Sequence, residues 1–506
     1  MKKKKKNNKR QFSPILTIAL ITLAIMILSF IFSILGIEGQ KTLLVNGNLE
    51  TSLSVVKNIF TKDGIKFLLG DAVLNFTLFE PLVILIISLI GISIGEASGL
   101  FKAIFSPLKK LNLTTITFLT LLISMVAGIV GELSYVVLLP FIGVIYKYAN
   151  KSSMLGVCTA FLGLTAGYGT GFICNYDTYI LGTITQASAI VDVDKTFVFN
   201  LFSNSMMMLA SSFIFCALGT IIINHFLAPK FKKKVSIDDE FETSKKGLIM
   251  SAIAIVICIC IVIYMIIPGL PGSGILLDRS KPEYIAQLLG KTAPFRNGFV
   301  YIFTIIIMIC SYIYGRISKN FKDNYSYGIG LSTGFSDLGY LFVLMFFTSQ
   351  MIAILSWTNL GEVVWARLIT MMSALQISGI PLIIAMFIVI ILIGILIPST
   401  VTKWNLAAPT LVPLFMRANI TPNFTQFIFQ ISDGIGKCIT PLFTYFIVAI
   451  GVVEKYNEDP EHKVTIFGTM RKFLPCVLLF VCLWLLILVG WYVIGLPLGP
   501  NTYPTL

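Results

Sequence analysis

From Leu248 to Ile267 the chain runs for twenty residues without one charged side chain, and Phe12–Leu35 and Phe473–Leu496 do the same. A helix crosses the hydrocarbon core of a bilayer with about 20 apolar residues, so runs of this kind read as membrane spans. Composition agrees: charged residues are 12% of the 506 and hydrophobic ones 56%, where soluble domains carry about 25% charge. A soluble enzyme, a disordered chain and a disulfide-stapled secreted module are thereby excluded. The apolar mass is enough for about nine to eleven crossings.

The net charge of +14 invites a nucleic-acid reading. Its distribution argues for topology. Lys2 to Lys6, Lys9 and Arg10 precede the first apolar run, and Lys230, Lys232, Lys233, Lys234, Lys245 and Lys246 share one loop. Short lysine-rich segments beside spans mark the cytoplasmic side. Phe12–Leu35 is too long for the hydrophobic region of a signal peptide and no A-x-A-like site follows, so it reads as a retained first helix. The nine cysteines form no C-x-x-C pair, which leaves zinc, haem and redox roles unsupported.

The chain divides into a cytoplasmic basic tail (1–12), a first transmembrane half (13–226), a cytoplasmic basic loop (227–247) and a second transmembrane half (248–506). Each half holds simple apolar segments and one long zone broken by Gly, Pro and polar residues. Broken segments in corresponding positions of two halves are the mark of a secondary transporter's binding site. A faint internal similarity accompanies them: Glu132–Pro140 followed by Thr165–Gly171 in the first half, Asn405–Pro413 followed by Ser432–Cys438 in the second.

Charges at membrane depth cost several kcal/mol and need a reason. Glu132, Asp177 (beside Asn175), Lys403, Asp433 and Lys437 all fall in the two broken zones. Each could merely cap a helix or pair with a neighbour. As a set they fit a cavity in which freed backbone groups and carboxylates hold Na+ or exchange protons. Asp177 and Asp433 are then candidates for the coupling ion, as H+ or as Na+ held near them. Trp404 would offer a stacking face to an aromatic substrate. Thr165–Gly169 is one residue from a potassium-filter pattern but lacks its context. In Asp433-Gly434-Ile435-Gly436 the aspartate stands on the wrong side of the glycines for an intramembrane protease.

At these residues the sequence resembles the AbgT family of p-aminobenzoyl-glutamate transporters, within the ion-transporter superfamily. The resemblance runs from about Gly70 to about Gly495. It is strongest in Leu89–Leu100, Gly131–Pro140, Phe346–Gly361, Thr402–Gln426 and Ile431–Phe446. It implies an all-α polytopic membrane protein: a homodimeric carrier of about nine helices with two re-entrant hairpins, preceding Ser134 and Trp404, in an inverted-repeat architecture. It also implies uptake of folate-breakdown products or export of sulfonamide antimetabolites, driven by an ion gradient. The family's cavity positions fall on Asp177, Trp404, Pro422 and Asp433. Three positions depart: Gln430 stands for the family's arginine, Val401 for its serine and Glu132 for its first-half aspartate. Glutamine cannot pair bidentately with a carboxylate as arginine does; Lys403 or Lys437 could supply the charge.

The expectation is therefore an ion-coupled carrier of organic anions in a bacterial cytoplasmic membrane, multi-pass, with its N-terminus inside. It has no cofactor beyond the coupling ion, a homodimeric partner and no nucleic acid. A dicarboxylate or short-chain fatty-acid carrier of the same superfamily is the first alternative. A membrane-embedded enzyme, acting through Asp177 and Asp433, is the second.

Overall fold

The computed structural model describes residues 12–45, 48–171, 175–231, 242–335, 338–374, 377–457 and 463–506. The basic tail up to residue 11, the lysines Lys232, Lys233 and Lys234, and His462 lie outside them. Among the described residues eight helices are long and apolar enough to cross a membrane, by length and composition. Helix α1 (Pro14–Ile34) starts on a serine N-cap: Ser13 accepts a hydrogen bond from the Leu16 amide, and Pro14 fills the first position, where its missing N–H costs nothing. An antiparallel hairpin, β1 (Glu38–Val45) and β2 (Asn48–Val55), follows. Then comes α2 (Glu80–Ala97).

The first broken zone folds as α3 (Leu113–Ala127) and α4 (Leu133–Tyr148). Between them Gly131 takes a φ of 62°, a conformation that a side chain would strain. Here the chain turns back on itself. Thr120 and Tyr146 share a 3.2 Å hydrogen bond; on one continuous helix they would stand about 39 Å apart, at 1.5 Å per residue. The pair is a re-entrant hairpin with its tip at Gly131–Glu132. Next, α5 (Ser153–Ala166) breaks over residues 167–175 before α6 (Tyr176–Asp192). Helix α7 (Ser205–Ile222) closes the half.

The second half opens with α8 (Lys245–Ile266), α9 (Pro294–Ile317) and α10 (Gly339–Trp357). Its broken zone repeats the first. Helix α11 (Gly379–Gly394) leads to a tip at residues 395–399, and α12 (Thr400–Arg417) leaves it. Helix α13 (Pro422–Lys437) runs towards this tip, breaks over residues 438–443 and continues as α14 (Thr444–Lys455). Asp433 touches both arms of the tip: a methyl added at Gly394 would lie 3.7 Å from its Oδ1, and Thr400 donates to its Oδ2. The reversal is therefore the same as in the first half. Helix α15 (Ile466–Ile494) is the last span.

Seven uninterrupted helices (α1, α2, α7, α8, α9, α10, α15) and two interrupted ones (α5–α6, α13–α14) make nine crossings among the described residues, with two hairpins between them. The eighth long apolar segment, Leu113–Val130, is the first arm of hairpin one. The faint internal similarity has a structural counterpart, since Glu132–Pro140 and Asn405–Pro413 both lie in the outgoing arm of a hairpin.

All sixteen residues of α13 are buried. In a membrane, apolar burial against lipid-like neighbours drives little, so helices meet where small residues let backbones close up. Helix α13 does this on two sides. A methyl at Gly434 would stand 2.3 Å from the Thr165 carbonyl oxygen of α5, and one at Gly436 would stand 2.9 Å from the Ile391 carbonyl oxygen of α11. The ends of α5 and α13 thus meet, and both breaks face the same central region.

Candidate functional site

Asp433 sits on this crossing, with no solvent exposure. Its Oδ1 accepts a hydrogen bond from Lys403 of α12. Its Oδ2 accepts from the Thr400 hydroxyl at 2.5 Å and pairs with Lys437, one turn further along α13, at 3.1 Å. Lys437 also donates to the Thr400 hydroxyl. Its ammonium faces the rings of Tyr168 and Phe443, whose centroids lie 4.9 and 5.0 Å away, a cation–π arrangement from both helix breaks. One carboxylate is thus shared by two buried ammoniums. Unpaired, each charge would be very costly here; bonded in this way, they tie the second tip to α13.

The first tip contributes differently. Glu132 keeps an exposed side chain and accepts a 3.4 Å hydrogen bond from the Tyr445 hydroxyl at the start of α14. Asp177, in the first turn of α6, is half-buried and accepts from the Tyr168 hydroxyl at 3.4 Å. A methyl at Gly131 would lie 3.1 Å from Asp177 Oδ2, so the tip and the α5–α6 break are in contact. Asn175 is the N-cap of α6, accepting from the Thr178 amide at 2.7 Å. Pro422 is the buried first residue of α13.

Between these groups runs a polar seam. Gln430 donates to the Thr178 hydroxyl at 3.0 Å, and its own carbonyl oxygen is buried with no partner. Gln426 accepts from Thr185 at 2.7 Å and donates to the Thr178 carbonyl at 3.1 Å. The Trp404 indole N–H reaches the Leu181 carbonyl at 3.2 Å and Thr185 Oγ1 at 3.0 Å.

Three sequence expectations change. Asp433 is no place for a sodium ion, because its cation partners are the protein's own Lys403 and Lys437 and a third positive charge would be repelled. Those lysines are equally not free to replace the arginine absent at 430. Trp404 offers no open face in this structure: it is fully buried, with Phe429 tilted against its ring at 4.4 Å. It works as a packing and hydrogen-bonding residue. Trp404→Phe is expected to cost about 1 kcal/mol, the worth of one such hydrogen bond. Trp404→Ala should cost about 3–5 kcal/mol, for the cavity it leaves. Thermal unfolding in detergent reads both, and equal losses would contradict this account.

The structure joins Glu132, Asp177, Lys403, Asp433 and Lys437 in one neighbourhood. Sequence reasoning missed Thr400, Tyr168, Gln426 and Tyr445. A signal existed for one of them: Gln426, Gln430, Asp433 and Lys437 recur at helical spacing and form a single stripe along α13. Arg296, at the start of α9, acts on the charge of Asp177 and was also overlooked.

A family model described as the AbgT putative transporter family matches residues 7–506. The p-aminobenzoyl-glutamate transport protein of Escherichia coli K12 is 23% identical over 501 residues, covering 97% of this chain and 94% of its own. Two solved structures are similar at 24% identity and a TM-score of 0.49. The Alcanivorax borkumensis YdaH transporter covers 97% of this chain and 100% of its own. Neisseria gonorrhoeae MtrF, of a class of antimetabolite efflux pumps, covers 98% of each.

Proposed function

The chain belongs to the AbgT putative transporter family, and from that premise we propose that it is an ion-coupled secondary carrier of p-aminobenzoyl-glutamate-like or related organic anions. The observation that carries this reading is the meeting of two re-entrant tips with two helix breaks around the buried lysine pair. Opposed broken helices bring freed backbone groups and half-helix ends to a common point at mid-membrane, which is what alternating access needs. We read the carrier as a homodimer in a bacterial cytoplasmic membrane, with its N-terminus on the cytoplasmic side and H+ or Na+ as coupling ion. Its cargo moves inward as a nutrient or outward as an antimetabolite.

An enzyme fits the geometry poorly. A catalytic aspartate pair needs one carboxyl able to share a proton, whereas Asp433 is bonded to two ammoniums and closed from solvent. A second cargo reading, a dicarboxylate or short-chain fatty acid, rests on the uncharged Gln430 standing where the family has an arginine; the unpartnered Gln430 carbonyl is an acceptor and does not itself recognise a carboxylate.

Uptake of labelled p-aminobenzoyl-glutamate into proteoliposomes is the test. Saturable uptake, competed by unlabelled substrate, is expected. Failure there, with uptake of a dicarboxylate instead, would move the assignment to the second cargo.

A further inference from the structure

The tip of the second hairpin, residues 395–399, has two faces. On the inner face Asp433 clamps it: Thr400 and Lys403, in the first turn of α12, both bond to that carboxylate. The Thr440 hydroxyl, at the α13 break, also donates to the Ile395 carbonyl at 2.7 Å. The outer face rests on the turn that closes α10 and opens the helix Leu360–Ser373. This touch is narrow. A methyl added at Gly361 would lie 3.0 Å from Ile397 Cγ1 and 3.3 Å from the Leu396 carbonyl oxygen. Beside it lies a cavity of about 230 Å³.

The cavity has an apolar wall of Leu355, Ile397 and Pro398, and a polar wall of Ser356, Asn359, Ser399 and Thr402. On the polar wall the Thr402 hydroxyl donates to the Ser399 hydroxyl at 3.0 Å. The Ser356 hydroxyl and the Asn359 amide have no protein partner among the described residues. Glu362 also lines the space, but its charge is taken up by Lys41 of β1. The walls are thus neutral as a whole, and a charged occupant would lie there uncompensated. Ser356, Ser399 and Thr402 are exposed, so the cavity has an open side by which a solute enters. A cavity of about 150 Å³ holds a benzene ring, and this one has room for such a ring with a small polar group. A primary amide suits that place: it pairs face to face with the Asn359 amide, each giving an N–H to the other's carbonyl, and leaves a second N–H for Ser356.

We propose that this cavity is a binding site for a small uncharged aromatic amide, and that its occupant locks the second hairpin against the α10 turn. The site stands on the cavity alone; the lock rests on the carrier reading above and adds a means of regulating it. One wall belongs to the tip and the other to the turn, so a swing of the tip reshapes the space between them. A ligand that fits only the present shape shifts the population towards this state. The neutrality of the walls excludes an anionic cargo, which separates this site from the meeting of tips and breaks.

Benzamide is the probe, and thermal unfolding of the full chain in detergent is the readout. Millimolar benzamide is expected to raise the unfolding temperature of the wild type and of the control Ser373→Ala, whose hydroxyl bonds within its own helix. Benzoate, of the same size but charged, is expected to leave both unchanged. The shift should vanish in Ser356→Leu, which fills the cavity. It should fall in Asn359→Gly, which removes the amide at a φ of 55° that glycine adopts freely. No shift in the wild type, an equal shift in Ser356→Leu, or equal shifts by benzamide and benzoate would overturn the site. A second arm measures uptake of p-aminobenzoyl-glutamate into proteoliposomes. At ten times its dissociation constant, benzamide is expected to slow wild-type uptake about tenfold, because only the unoccupied fraction cycles. Asn359→Gly should be slowed less. Undiminished wild-type uptake at that concentration overturns the lock. A wild type that moves neither this substrate nor a dicarboxylate fails the carrier reading, while the thermal arm still decides the site.

Discussion

Asp433→Ala is expected to cost about 3–5 kcal/mol of stability, because it leaves two buried ammoniums without their carboxylate. Thermal unfolding in detergent, read beside the yield of monodisperse protein, measures this. The sign of the effect is not in doubt physically: Lys403 and Asp433 have no exposure to water that could take over the pairing. A sharper version adds Lys403→Met and Lys437→Met to Asp433→Ala. Replacing the whole charged set by apolar groups of similar volume is often neutral, so the triple variant should recover much of what the single one loses. An Asp433→Ala protein as stable as the wild type would refute the clamp. Loss of transport in Asp433→Ala alone follows from a collapsed site and does not identify a substrate contact.

The second large effect is steric. Gly434→Ala would place a methyl 2.3 Å from the Thr165 carbonyl oxygen and 2.7 Å from the Tyr168 Cβ. A backbone oxygen cannot rotate away, so α5 and α13 must separate. Overpacking of this kind costs about 1–3 kcal/mol or more. It also carries Asp433, the next residue, away from Thr400 and Lys403. A severe drop in transport with a lowered unfolding temperature is expected. Gly490→Ala is the control, since a methyl there meets nothing within 4 Å and alanine is the better helix former by about 0.5–1 kcal/mol. If Gly434→Ala and Gly490→Ala behaved alike, the close crossing of α5 and α13 would be wrong.

The breaks were legible because their signals are local, whereas their folding into hairpins was implied only by the family resemblance. Glycine at 128 and 131 interrupts an apolar run in one half, and Pro398-Ser399 does so in the other, where Ser399 caps α12 by accepting from the Thr402 amide. The lysines that flank spans likewise announce themselves by position. Partner choice was not legible. Lys403 and Lys437 are 30 and 4 residues from Asp433, and only the turn at residues 418–421, between α12 and α13, brings the former to it. Trp404 was read by its chemistry as a stacking platform, yet its surroundings are set by Thr185 and Phe429, on two other helices. Exposure was the least visible property. Glu132 and Asp433 look alike as acidic residues in broken helices, and only the packed structure shows one to be exposed and the other sealed.

The bonds around Asp433 join the second hairpin to α13 through four side chains, Thr400 and Lys403 on the hairpin and Asp433 and Lys437 on α13. Swinging that hairpin away from α13 would pull opposite charges apart where little water screens them, and Coulomb attraction grows as the dielectric falls. A movement of this kind is slow unless something replaces the lost partners as they part. On the proposed carrier reading, the clamp acts as a brake on idling, holding an empty carrier from cycling freely.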